Sequence, residues 1–182
     1  MKKNNISTIV KQVRDTFHPW VLSLSDKEKH AIRKYSYNSM DFKKTNRFFE
    51  RLNKMLRGNY NKPDKSKLQQ YANIISSAIQ KAELPFSIVC YRGVDVNPVA
   101  DIEIGTVFSF DQFISTSIVK EKALNKKFKL TIYVPAKAKG AYIEELSCFP
   151  KQREFLLDSS YMYKLLSVEG NLIKLEVQIW KK

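Results

Sequence analysis

The feature of this sequence that most limits its fold is a change of hydrophobic period near Phe86. Before that residue, apolar side chains recur every three or four positions. After it they alternate. The first pattern buries one face of a helix and the second one face of a strand. Helices gathered ahead of strands specify an α+β arrangement rather than the repeating units of an α/β sheet. No repeat, linker or low-complexity tract interrupts the 182 residues. One domain is expected over 1–182, with 1–83 mainly helical and 86–182 mainly β.

In the helical half, Ile6, Ile9, Val10 and Val13 share one face. Ser25-Asp26-Lys27-Glu28 is a capping box, which starts a helix running to about Tyr35. Asp41 is the expected N-cap of a helix carrying Phe42, Phe49, Leu52 and Leu56, which Gly58 ends. Leu68, Tyr71, Ala72, Ile75, Ala78 and Ile79 form the stripe of a fourth helix, closed by Pro85. In the β half, strands are expected at 87–92, 107–110, 113–117, 128–134, 141–143, 154–157 and 161–168. A last strand carries Ile173, Leu175, Val177 and Ile179 on one face, after a Glu169-Gly170-Asn171 turn.

Lys and Arg exceed Asp and Glu by fourteen. Such a field points to an anionic partner: nucleic acid, an acidic membrane surface, a phosphate-bearing ligand or an acidic protein face. No apolar run is long enough to span a membrane. Lys11 and Arg14 break the N-terminal apolar stretch before a signal-peptide core forms, so export uses another route or follows removal of a signal. Cys90 and Cys148 lack metal-ligand spacing and sit in apolar surroundings as free structural thiols. With His18 and His30 the only histidines, no metal is expected.

Three short segments carry chemistry. Tyr91-Arg92-Gly93 closes the first buried strand. Arg92 cannot lose its proton and therefore needs an anion, which taken alone reads as a salt bridge. Phe113-Ile114-Ser115-Thr116-Ser117 says little by itself. Phe149-Pro150-Lys151-Gln152-Arg153-Glu154 leads into a buried strand. Gln152 and Glu154, two apart, are expected on one face. They suit a catalytic amide–carboxylate pair or a solvated strand end equally well.

Taken in order, Arg, then Ser-Thr-Ser, then Gln-x-Glu resembles the arginine–serine–glutamate class of mono-ADP-ribosyltransferases. Gly140-Ala141-Tyr142-Ile143, Phe149-x-x-Gln152-x-Glu154 and Leu156-Leu157 resemble the clostridial Rho-modifying exoenzymes. Tyr35-Ser36 and Asn53-x-x-Leu56-Arg57-Gly58 resemble that family's helical half. The match covers about residues 20–180. It implies an ADP-ribosyltransferase fold, with N-terminal helices on a mixed, mostly antiparallel two-sheet β core.

The resemblance also implies that ADP-ribose moves from NAD+, the co-substrate, to a protein side chain. Glu154 would stabilise the oxocarbenium-like ribose, Ser115 would orient Glu154, and Gln152 would meet the acceptor. Arg92 and Arg57 would hold pyrophosphate and ribose. Asn53, Gly93, Thr116, Leu124 and Lys127 complete the implied NAD+ contacts. Phe149 would touch the protein substrate, or anchor the loop on the core. An amide at 152 can pair with an acceptor amide, which suits the asparagine of a Rho-family GTPase. The family implies a secreted toxin acting in the host cytosol, as a monomer, with neither nucleic acid nor membrane insertion.

Some positions depart from that pattern. Leu124 and Lys127 stand, without gaps, where these exoenzymes carry Phe and Arg, and Asp158 stands where they commonly carry Pro. The segment from Tyr35 to Asn53 is longer than usual. Lys151 and Arg153 make the acceptor loop basic. Two other classes are weighed against the enzyme. One is a nucleic-acid-binding protein using Lys34-Tyr35-Ser36-Tyr37 and Phe42-Lys43-Lys44. The other is an inactive adaptor of the same fold, against which stand Arg92, Ser115 and Glu154. Within the enzyme class, actin or another GTPase is an alternative target.

Overall fold

The computed structural model describes residues 2–37 and 47–179. Four helices precede eight strands: α1 Lys2–Ser23, α2 Asp26–Ser36, α3 Phe48–Leu56, α4 Lys65–Gln80, β1 Ile88–Val94, β2 Val107–Ser109, β3 Ile114–Ser117, β4 Phe128–Val134, β5 Gly140–Tyr142, β6 Glu154–Leu157, β7 Met162–Glu169 and β8 Leu172–Gln178. The change of period at Phe86 is thus a change of element type.

Local chemistry sets the helix limits. At α2 both halves of the capping box form: the Glu28 N–H donates to Ser25 Oγ at 3.4 Å, and the Ser25 N–H donates to the Glu28 carboxylate at 3.0 Å. The third helix starts later than expected. Arg47 is still extended, so α3 begins at Phe48, and Asp41 lies outside the described residues. On α1 the buried stripe is Val10, Val13, Phe17, Trp20 and Val21, while Ile6 and Ile9 are left exposed.

The strands order as β2-β7-β8-β4-β1-β3-β6-β5, antiparallel except for the β4–β8 pair. The sequence leads one to expect two sheets. Hydrogen bonding is instead continuous through all eight strands, but its two wings meet only at the Tyr91–Ser117 register pair between β1 and β3. That narrow seam is where the Arg and Ser-Thr-Ser segments come together.

The helices cover the β3-β6-β5 wing. Phe17 of α1 packs edge-on against Phe155 of β6 at 5.7 Å between ring centres, and the Trp20 indole donates to the Ala78 carbonyl of α4 at 2.9 Å. Tyr35 of α2 meets Phe113 at 5.6 Å. Gly140 is glycine for packing, since a Cβ there would overlap the Phe155 ring. Asp158, fully buried after β6, accepts from Ser76 Oγ at 2.7 Å and Gln80 Nε2 at 2.8 Å. It therefore ties α4 to the end of β6, a role the usual Pro could not fill.

Candidate active site

Strand register assembles the first part of the site. In the β3–β6 pair, Ser115 lies opposite Leu156 and Ser117 opposite Glu154. Opposed residues and their second neighbours share a face, so Ser115, Ser117 and Glu154 project together. The Ser115 hydroxyl donates diagonally to Glu154 Oε1 at 2.5 Å. Thr116, on the other face, donates to the Phe155 carbonyl at 2.7 Å, and Ser117 donates to the Gln152 carbonyl at 2.8 Å. All three hydroxyls of Ser-Thr-Ser thus fasten β3 to the segment from Gln152 to Phe155.

Arg92 joins from β1, its guanidinium donating to the Ser115 carbonyl. Among the described residues it makes no salt bridge, the role it would be assigned in isolation. A relay runs from Arg92 through both polar groups of Ser115 to Glu154. Glu154 is only 6% exposed. Burial pushes its carboxyl up from the ordinary value, while the Ser115 hydrogen bond and the Arg92 charge pull against that rise. Burial likewise depresses Arg92, which Tyr35 and Glu154 oppose. A carboxylate held against its desolvation, facing a cavity, is poised to meet positive charge developing in a substrate.

The cavity beside this relay has a volume of about 190 Å³. Arg92, Gly93, Ser115, Thr116 and Glu154 line its inner wall, and Asn53 and Leu124 line its sides. Phe149 and Gln152 reach it from the loop before β6. Asn53 donates to the Tyr35 hydroxyl at 3.0 Å, but its own Oδ1 is buried without a partner among the described residues. An orphaned acceptor on a cavity wall suits a ligand donor such as an amide. Gly93 is required by close approach: a Cβ would overlap the Leu124 carbonyl oxygen. Small-molecule sites usually enclose roughly 300–1,000 Å³. A dinucleotide therefore fits with one end inside and the rest along the rim, or with the segment over Gly93 displaced.

Two expected residues are absent from this lining. The Arg57 guanidinium donates to the Gln112 side chain, though its charge still acts on Arg92. Lys127 turns away, its ammonium 5.4 Å from the Phe128 ring centre. Lys122 lines the cavity in its place, because a single 3-10 turn at Lys120–Lys122 swings that lysine inward. Ungapped counting along the chain misses such a turn. Tyr35, Phe49, Tyr91 and Ser117 also line the cavity. Tyr35, Tyr91 and Ser117 stand within the motifs quoted above but without a role assigned there, while Phe49, one residue of an apolar helix stripe, gives no such signal.

The acceptor loop also differs from the strand-mouth expectation. Gln152 ends a 3-10 turn, Pro150–Gln152, and Arg153 adopts φ 54°, ψ 47° before β6 begins at Glu154. Gln152 and Glu154 share the cavity because of this turn, not because of strand alternation. Arg153 adds little free basicity, since its guanidinium pairs with Glu144. Cys148 is exposed rather than core. Cys90 is buried, and burial pushes its thiol up to about 12. The aromatic–lysine face proposed for nucleic acid is used internally: Lys34 sits over the rings of Phe48 and Tyr71, and Tyr35 is buried. Phe42, Lys43 and Lys44 lie outside the described residues.

Residues 13–179 match the sequence profile of the ADP-ribosyltransferase exoenzyme family, and the chain belongs to that family. NAD(+)–arginine ADP-ribosyltransferase EFV of Enterococcus faecalis is 31% identical over 170 residues, covering 88% of this chain and 33% of that protein. The chain thus spans about a third of the length of that curated relative. The Clostridium limosum C3 exoenzyme has the same fold, with TM-score 0.73, 21% identity and coverage of 96% and 95% of the two chains. C3stau2 of S. aureus, solved with NAD, gives TM-score 0.73 at 20% identity and covers 96% of each chain.

Proposed function

We propose that this chain is an NAD+-dependent mono-ADP-ribosyltransferase acting as a bacterial toxin on an asparagine of a Rho-family GTPase. The observation that carries the reading is the relay Arg92–Ser115–Glu154 beside a cavity with Gln152 at its rim. Cleaving the bond between nicotinamide and ribose leaves an oxocarbenium-like centre. Glu154 stabilises that charge, and Ser115 fixes the carboxylate orientation through a charge-assisted hydrogen bond. Arg92 and Lys122 meet the phosphates, and Asn53 Oδ1 accepts from the carried amide. An NAD-bound relative of the same fold supports NAD+ as the donor.

The acceptor reading rests on Gln152. Among the described residues lining the cavity, Glu154 is the only carboxylate. A guanidinium acceptor would want a second one, whereas an amide can exchange two hydrogen bonds with the Gln152 amide. Arginine is the second reading, favoured by the name of the Enterococcus relative. The test is transfer of labelled ADP-ribose from NAD+ to a purified Rho-family GTPase and to a eukaryotic cell lysate, with Glu154→Gln beside wild type. The modified residue is then read by mass spectrometry. Asparagine supports the first reading, and arginine replaces it with the second. No transfer and no NAD+ hydrolysis by wild type removes both.

A further inference from the structure

Glu144 follows β5, lies outside the cavity lining, and has no part in the chemistry above. It is nonetheless 8% exposed and holds two guanidinium groups. Arg14 of α1 donates to both carboxylate oxygens, at 3.0 and 3.1 Å, and Arg153 pairs with Oε1. Arg153 stands between Gln152 and Glu154, in the left-handed region that residues other than glycine seldom enter. Such a residue persists only where its surroundings hold it.

The two ends of this turn are secured differently. On the Glu154 side the backbone does the holding: the Ile118 N–H donates to the Arg153 carbonyl, and the Ile143 N–H donates to the Glu154 carbonyl, both at 3.1 Å. Strand pairing then continues through β6. On the Gln152 side, the Gln152 N–H bonds to Phe149 within the same turn, and one hydroxyl, that of Ser117, reaches its carbonyl. The Arg153 side chain ties this turn to α1, through Glu144 and Arg14.

We propose that Glu144 is a positioning residue for acceptor selection, clamping Arg153 against Arg14 so that the turn presents Gln152 at the cavity rim. The inference rests on the transferase reading above. Without the carboxylate, two partly exposed like charges are left side by side and repel. Arg153 swings out, its left-handed backbone relaxes, and Gln152 leaves its place. Glu154 stays, because strand register holds it.

The test compares two activities of the full chain in wild type, Glu144→Gln and Arg153→Gln. One is transfer of labelled ADP-ribose to the proteins of a eukaryotic cell lysate. The other is hydrolysis of NAD+ with no protein acceptor. Transfer should fall about tenfold in both variants, while hydrolysis stays within about twofold of wild type. Arg153→Lys, which keeps the charge, should recover most of the transfer. Arg153→Gln leaves the Arg14–Glu144 pair in place, so the test survives if Glu144→Gln fails to fold. Equal transfer by wild type and both variants overturns the proposal. So does a parallel loss of transfer and hydrolysis, which would make the network part of the catalytic frame. Failure of the underlying reading looks different: wild type then resembles Glu154→Gln in both assays.

Discussion

Two walls of the same cavity are built by different means. The wall carrying Ser115 and Glu154 is a pair of hydrogen-bonded strands whose register leaves one geometry available. The wall carrying Gln152, Phe149 and Lys122 consists of short 3-10 turns held by side-chain ties. Backbone ladders are cooperative and shared by many residues, whereas a side-chain tie is lost with one substitution. On the proposed reading, the bond-breaking chemistry sits on the wall that tolerates least variation. Acceptor choice, through Gln152 and Phe149, sits on the wall that can vary without disturbing that chemistry, where Lys122 adds only a contact to the donor phosphates. Mutations on the two walls should separate accordingly.

The largest effect is expected at Glu154. Glu154→Gln keeps the shape and the acceptor for Ser115 but removes the charge proposed to meet the oxocarbenium centre. Both transfer and NAD+ hydrolysis should fall by on the order of 10²–10³-fold, with the circular dichroism spectrum unchanged. If hydrolysis survives while transfer is lost, Glu154 belongs to acceptor recognition and the division between the walls is wrong.

Next comes the join between the walls. Gly93→Ala places a methyl group on the Leu124 carbonyl, which is backbone and cannot rotate away. The segment over Gly93 has to lift, and the KM for NAD+ should rise about tenfold, read from initial rates. A smaller effect is expected at Lys122. A single exposed ammonium at a phosphate is worth about 1 kcal/mol or less and is screened by salt. Lys122→Gln should raise the KM for NAD+ about threefold at low ionic strength, with the gap closing at about 1 M salt, and Lys127→Gln should do nothing.

The same division explains what could be read before any coordinates. The period change at Phe86, the Ser25–Glu28 box and the alternation in β4 and β8 are local signals, and each became the expected element. Arg92, Ser115 and Glu154 stand out in the sequence because strand-borne residues keep a fixed order and spacing, and the strands bring the three into contact. An ungapped count points to Lys127 rather than Lys122, and a shared strand face is expected for Gln152 and Glu154 where a 3-10 turn stands, because single turns leave no periodicity. The Arg153 pairing was invisible for another reason: Glu144 and Arg14 are distant in sequence, and only the packing of α1 on the sheet unites them. Asp158 was noticed as a departure, but its role needed α4 beside it. Asp158→Ala should cost about 1–3 kcal/mol in urea unfolding, with activity per folded molecule retained.

The subtlest expectation concerns pH, and it tests how far the rigid wall is held against its own chemistry. Burial raises the Glu154 carboxyl in the folded chain. A group whose folded value is raised binds its proton more tightly when folded. Its contribution to stability is complete below the unfolded value, near 4.3, and is lost as pH rises through the folded value. Wild type should therefore lose stability relative to Glu154→Gln as pH rises from about 4 through the raised folded value, whatever the offset between them at the acid end. Activity should run the other way, since the charge that destabilises the fold is the one the oxocarbenium centre needs. NAD+ hydrolysis should rise with pH, its acid limb displaced above the usual glutamate range. Melting temperatures and hydrolysis rates taken across the same buffers would show the two curves crossing in one window. A stability gap that stays flat with pH would mean that Ser115 and Arg92 fully offset the burial. The rigid wall would then carry its carboxylate without strain, and the contrast with the turn-built wall would be one of geometry alone.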